Sequence, residues 1–171
     1  MAMPRDLVLV RHGESEGNVA VHKSKKGDHS DFTPEFTGRH SMTWELSEKG
    51  WEQVRAARDW IRANMDPYFD RHYVSPWFRA MQTAAGLELP DAVWYEEFYL
   101  REREWGALDV MSNEERERRY AEELHDRTIN PFFWRPTRGE SMADVCARGP
   151  DRHFDTLHRE CAEKRVIVVS H

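Results

Sequence analysis

The chain has 171 residues, which fits one domain with a sizeable core. Charged residues make up 33% and hydrophobic ones 39%, and the net charge of −6 argues against nonspecific nucleic-acid binding while leaving room for a locally basic pocket. No apolar run approaches the roughly 20 residues of a membrane helix, and the one that follows the first six residues is too short for a signal peptide. The only cysteines, Cys146 and Cys161, fall in one predicted helical region and read as reduced thiols of a cytoplasmic protein.

The first element is an apolar run over residues 7–10, short and bounded by Gly, which reads as a buried strand of a parallel sheet. It runs into Arg11, His12 and Gly13, at the strand end where open α/β folds place ligands. Arg11 offers a planar fork of donors suited to phosphate or carboxylate. His12 can act as base, ligand or nucleophile. Gly13 lets a substrate approach the backbone closely.

Residues 19–45 form a long polar stretch with Lys23, Lys25 and Lys26 and the aromatics Phe32, Phe36 and Trp44. It reads equally well as a wall over a substrate site or as a solvated loop pinned by its aromatics. Ser47 is a candidate N-cap for a helix whose Trp51, Val54 and Ile61 recur at helical spacing, ending at residues 64–67. A second strand covers 72–75, with Ser75 and Pro76 as cap and first turn of the next helix. Arg79 then lies beside unpaired backbone N–H groups at a helix N-terminus, already an anion site. Residues 93–94 make a short third strand.

Residues 98–108 hold Arg101, Glu102, Arg103 and Glu104. The two arginines read either as anion-binding groups or as ion-pair partners of the two glutamates. Residues 113–124 read as an exposed helix laced with salt bridges, and the aromatics of 130–136 as a packed loop. Ser141 caps a further helix, with Glu140 in its first turn, and Gly149-Pro150 breaks it. Residues 166–170 carry the clearest buried-strand signal and lead to His171.

Arg11-His12-Gly13-Glu14-Ser15 with Asn18, then Ser75-Pro76, Arg79-Ala80 and Gln82-Thr83-Ala84, then Gly139-Glu140-Ser141, and a final strand ending at His171, together resemble the histidine phosphatase superfamily, which includes cofactor-dependent phosphoglycerate mutases. Residues 100–106 and 132–145 look most like a phosphatase branch. The resemblance implies a three-layer α/β/α sandwich with a mainly parallel central sheet, built as one domain over 1–171. It also implies that the chain lacks the family's C-terminal segment, since the family continues past its second histidine. An α-carboxylate on His171 would repel a bound phosphate by about 4 kcal/mol at roughly 4 Å and an effective dielectric near 20.

The chemistry implied is phosphomonoester hydrolysis through a phosphohistidine on His12. The Leu100-to-Gly106 alignment makes Glu102, ahead of Glu104, the general acid and base. Arg11, Arg79 and His171 would bind the phosphoryl oxygens, with Asn18, Ser15 and Arg103 as further substrate contacts. No metal or other cofactor is implied, because arginines and histidines supply the positive charge. The expected partners are a small phosphorylated substrate and inorganic phosphate, with no nucleic acid and no membrane; a homodimer is left open. Two other readings compete: a phosphoglycerate mutase-type phosphotransferase, for which Phe36-Thr37-Gly38 resembles part of the mutase substrate loop, and a non-catalytic phospholigand-binding module.

Overall fold

The run of Val and Ile near residue 167 is the middle of the sheet. In the computed structural model, which describes residues 2–171, the strands are β1 (Asp6–Arg11), β2 (Arg71–Val74), β3 (Trp94–Glu96) and β4 (Arg165–Ser170). Their order is β1-β4-β2-β3 and every pairing is parallel. β4 is hydrogen-bonded on both sides and covered on both faces, so Val166, Ile167, Val168 and Val169 are all buried. That is why it reads as an unbroken apolar run and not as an alternation.

Helices cover both faces. On one side α3 (Glu48–Asn64) and α4 (Phe78–Gly86) bury Ile61, Ala80, Ala84 and Leu87 against Val74, Ile167 and Val169. On the other, α7 (Pro150–Glu160) buries Leu157, with Cys161 just beyond it, against Tyr73, Val166 and Val168. The three-layer α/β/α architecture is therefore present, with a four-stranded sheet that is wholly parallel among the described residues.

Four local expectations change. The polar stretch after Asn18 is not all loop: α1 (Glu16–Ser24) occupies its start, with a four-residue helix α2 (Pro34–Thr37) further on. α1 buries Gly17, Ala20 and Ser24, small residues that leave no large apolar stripe to read. Phe36 and Trp44 stack at 4.8 Å and pack with Ala20, so the aromatics do pin this segment to the body. Second, α4 begins at Phe78 with Trp77 as its uncapped start, so Ser75 is not its cap. Third, α5 (Asn113–Ile129) is exposed as expected but kinks at Tyr120. Fourth, the helix α6 (Met142–Arg148) starts after Ser141, whose hydroxyl forms a capping box with Asp144, which leaves Glu140 outside the first turn. The break at Gly149-Pro150 is where the sequence put it. Among the described residues, no helix is long and apolar enough to cross a membrane.

Candidate active site

The parallel register of β1 on β4 sets Arg11 opposite Ser170. One residue on, the His12 N–H donates to the Ser170 carbonyl at 3.0 Å, which brings His12 beside His171. Their ring centroids are 5.1 Å apart and the rings are inclined at 62°. The Gly13 carbonyl lies 2.6 Å from His12 Nδ1, and a carbonyl can only accept, so it assigns the proton to Nδ1 and leaves Nε2 as the bare nitrogen. The Arg79 Nε–H donates to that Nε2 at 3.1 Å. Burial, opposed by the Gly13 carbonyl and reinforced by the Arg79 and Arg11 charges, lowers the His12 pKa to about 4. The imidazole is thus neutral and able to attack at neutral pH.

His171 is held differently. Its Nε2 lies 2.8 Å from the Ser75 hydroxyl, which itself accepts the Trp77 N–H at 3.4 Å. The hydroxyl can therefore give its own proton to Nε2, which makes Nδ1 the protonated nitrogen. That Nδ1 is buried, has no hydrogen-bond partner, and points toward Glu102 Oε2 at 3.6 Å. Burial, with the Arg79 charge behind it, holds this imidazole neutral as well.

Arg79 closes the floor. It is only 4% exposed, and its Nη1 donates to the Ser41 carbonyl at 3.0 Å while Nη2 stands 3.6 Å from Glu102 Oε2. Glu102 Oε1 accepts the Arg103 N–H at 2.8 Å, and its carboxylate is one-third exposed on the open side. Arg11 is exposed at the rim. The cavity above this floor measures about 490 Å³, within the range of small-molecule sites. His12, His171 and Glu102 each bring one ligating atom to within 4.8 Å of the others. A divalent cation there would face the Arg79 guanidinium at close range, whereas a tetrahedral oxyanion would answer it.

The model of the histidine phosphatase superfamily (branch 1) matches residues 7–171. The chain belongs to that superfamily. A 2,3-bisphosphoglycerate-dependent phosphoglycerate mutase of Methylobacterium radiotolerans is 31% identical, the match covering 99% of this chain and 74% of that protein. Among solved structures, the alpha-ribazole phosphatase of Shigella flexneri is similar with a TM-score of 0.74 at 23% identity, covering 96% of this chain and 73% of that one. A mycobacterial glucosyl-3-phosphoglycerate phosphatase in complex with VO3 gives 0.71 at 24% identity, covering 96% and 74%. The two structures share the superfamily's fold with this chain.

Of the residues singled out for phosphatase chemistry, His12, His171, Arg79 and Glu102 meet at one point, with Arg11 and Asn18 on the rim. Glu104 is not among the cavity-lining residues; burial raises its pKa, and its backbone pairs with Glu140. Three of these residues carry capping or packing roles. Ser15 lines the cavity but is 1% exposed and serves as N-cap of α1, sharing a capping box with Asn18. Arg103 turns away, donating to the carbonyls of Glu140 and Trp134 and lying over the Trp105 and Trp134 rings. Gly13 is required by packing: a Cβ there would stand 2.6 Å from the Gly50 carbonyl.

Sequence reasoning missed the cavity's outer wall. Trp105 and the α5 residues Asn113, Arg116, Leu124 and Arg127 line it. Spacings of 3, 11 and 14 residues put those four on one helical face, a signal hidden by the dense charges around them. It also missed Ser75 as the group that orients His171.

Proposed function

We propose that the chain is a metal-independent phosphomonoesterase working through a phosphohistidine on His12. One observation carries the reading: a bare His12 Nε2 and the Glu102 carboxyl share one cavity with the Arg79 guanidinium, and the His171 ring stands 5.1 Å from that of His12 with its Nδ1 3.6 Å from Glu102 Oε2. Arg79 is hydrogen-bonded to the lone pair that must attack. A phosphoryl oxygen is a stronger, charged acceptor, so its entry draws Arg79 off Nε2 and frees the nucleophile.

Nε2 then bonds to phosphorus in line with the ester oxygen. The P–O bond breaks, and the leaving oxygen takes its proton from Glu102. In the second step the Glu102 carboxylate takes a proton from water, the water oxygen bonds to phosphorus, and the P–N pair returns to Nε2. Arg11, Arg79 and His171 Nδ1–H stabilise the charge on the equatorial oxygens. Asn18 contacts the rest of the substrate from the rim.

The one-third exposure of Glu102 favours hydrolysis over isomerisation, because water reaches the place where the phosphorylated imidazole would stand. The mutase reading is favoured by the 31% identical mutase. Incubation with p-nitrophenyl phosphate, and separately with 3-phosphoglycerate plus 2,3-bisphosphoglycerate, decides between them. Hydrolysis without isomerisation is the expected result. Isomerisation supports a mutase, and inertness of the folded protein toward a broad phosphoester panel overturns the enzyme reading in favour of a phospholigand-binding module.

A further inference from the structure

Glu102 sits in no helix or strand. It lies between the short 3-10 turns Phe98–Leu100 and Gly106–Leu108, so its place must be set from outside. What sets it is one half-buried ion pair. Arg148, the last residue of α6, grips both oxygens of Glu140: Nε donates to Oε1 at 2.6 Å and Nη2 to Oε2 at 2.8 Å. The rest of the same guanidinium is turned onto the Glu102 segment. Nη1 donates to the carbonyls of Tyr99 at 2.9 Å and Arg101 at 3.2 Å, and Nη2 to that of Glu102 itself at 3.0 Å.

Glu140 works from the other side. Oε1 also accepts Arg101 Nη2 at 2.7 Å, and Oε2 accepts the Glu104 N–H at 3.1 Å. Its own N–H donates to the Glu104 carbonyl at 2.9 Å, and its carbonyl accepts Arg103 Nε at 2.7 Å. The carbonyls of 99, 101, 102 and 104 are thereby fixed by two residues. The side chains of both are about 15% exposed; neither lines the cavity that holds His12 and Arg79, and Arg148 lines the adjoining one with Glu102 and His171. Burial alone would raise the Glu140 pKa, but the Arg148 and Glu104 hydrogen bonds outweigh it and keep the carboxylate ionised.

We infer that Glu140 and Arg148 are positioning residues that hold the Glu102 carboxyl at the leaving-group oxygen. The inference rests on the phosphomonoesterase reading. A proton donor displaced by about 1 Å loses on the order of 100-fold in rate. The loss falls on substrates that need the proton and spares those that do not.

The test uses the full chain and two substrates. p-Nitrophenyl phosphate leaves as a stable anion and needs little protonation; β-glycerophosphate leaves as an alkoxide and needs it fully. Arg148→Lys keeps the charge but loses the fork onto the backbone; Glu140→Gln keeps the shape but weakens the grip. Each variant should lose at least about 10-fold more kcat/KM on β-glycerophosphate than on p-nitrophenyl phosphate, with the inhibition constant for inorganic phosphate unchanged. Glu102→Gln should show the same skew, and adding Arg148→Lys to it should skew it no further.

Equal losses on both substrates, or none, overturn the inference while the Glu102→Gln skew stands. Failure of both variants to fold also overturns it, since the pair would then be structural alone. Absence of any skew in Glu102→Gln overturns the parent reading instead.

Discussion

The cavity floor and the wall behind Glu102 both collect arginines, and treat them in opposite ways. On the floor, Arg79 is buried against a neutral imidazole, a carbonyl and a carboxylate 3.6 Å away. In the wall, Arg101 and Arg148 share the Glu140 carboxylate at 2.6–2.8 Å and the remaining Arg148 donors meet carbonyls. Every donor of Arg148 meets an oxygen, so the wall gives shape. On the floor, Arg79 meets one neutral nitrogen and one carbonyl at hydrogen-bond distance, and its nearest carboxylate oxygen is 3.6 Å off, which suits a closer anion.

The largest break in that contrast comes from the nucleophile. His12→Asn should abolish turnover, by at least about four orders of magnitude, and leave no acid-labile phosphoprotein after incubation with substrate. Arg79→Met should cost two decades or more in kcat/KM, since one charge-assisted contact is worth about 1.5–3 kcal/mol and Arg79 offers more than one. Yet its melting temperature without anions should hold or rise, because the cost of desolvating a buried guanidinium is gone. Glu140→Ala should do the reverse. It strands Arg101 and Arg148 together and should lower stability by roughly 3–5 kcal/mol in urea unfolding.

Acid should find the same division. His12 binds its proton less tightly when folded, about 4 against 6.5. Its contribution is therefore full above about pH 6.5 and is lost as pH falls toward 4, on the order of 3 kcal/mol. Urea unfolding between these pH values follows it together with His171, His72 and His153, whose pKa values burial also lowers, and His12→Asn should flatten its share of the slope. The smallest effect belongs to α5: removing the Glu115–Arg119 pair on its exposed surface should leave the melting temperature unchanged within error.

The floor was legible in the sequence and the wall was not, for a physical reason. His12 and His171 stand just past strand ends, which are marked by the change from an apolar run to polar residues, and Arg79 lies in the first turn of the helix that follows the end of β2. Glu140 draws its meaning from Arg101 and from carbonyls 36 to 41 residues earlier. Backbone carbonyls carry no residue identity, so nothing in the letters around Glu140 announces them. α1 was hidden for another reason. Its buried face is Gly17, Ala20 and Ser24, residues too small to mark a helix, although Ser15 and Asn18 at cap spacing were a usable sign.

The strand order has a consequence during protein synthesis. β4 lies between β1 and β2, so β1 shares no hydrogen bond with the rest of the sheet until residues 165–170 have left the ribosome. A nascent chain holding β1, β2 and β3 is two fragments awaiting a keystone. The two imidazoles, 159 positions apart, become neighbours in the same event that knits those fragments together.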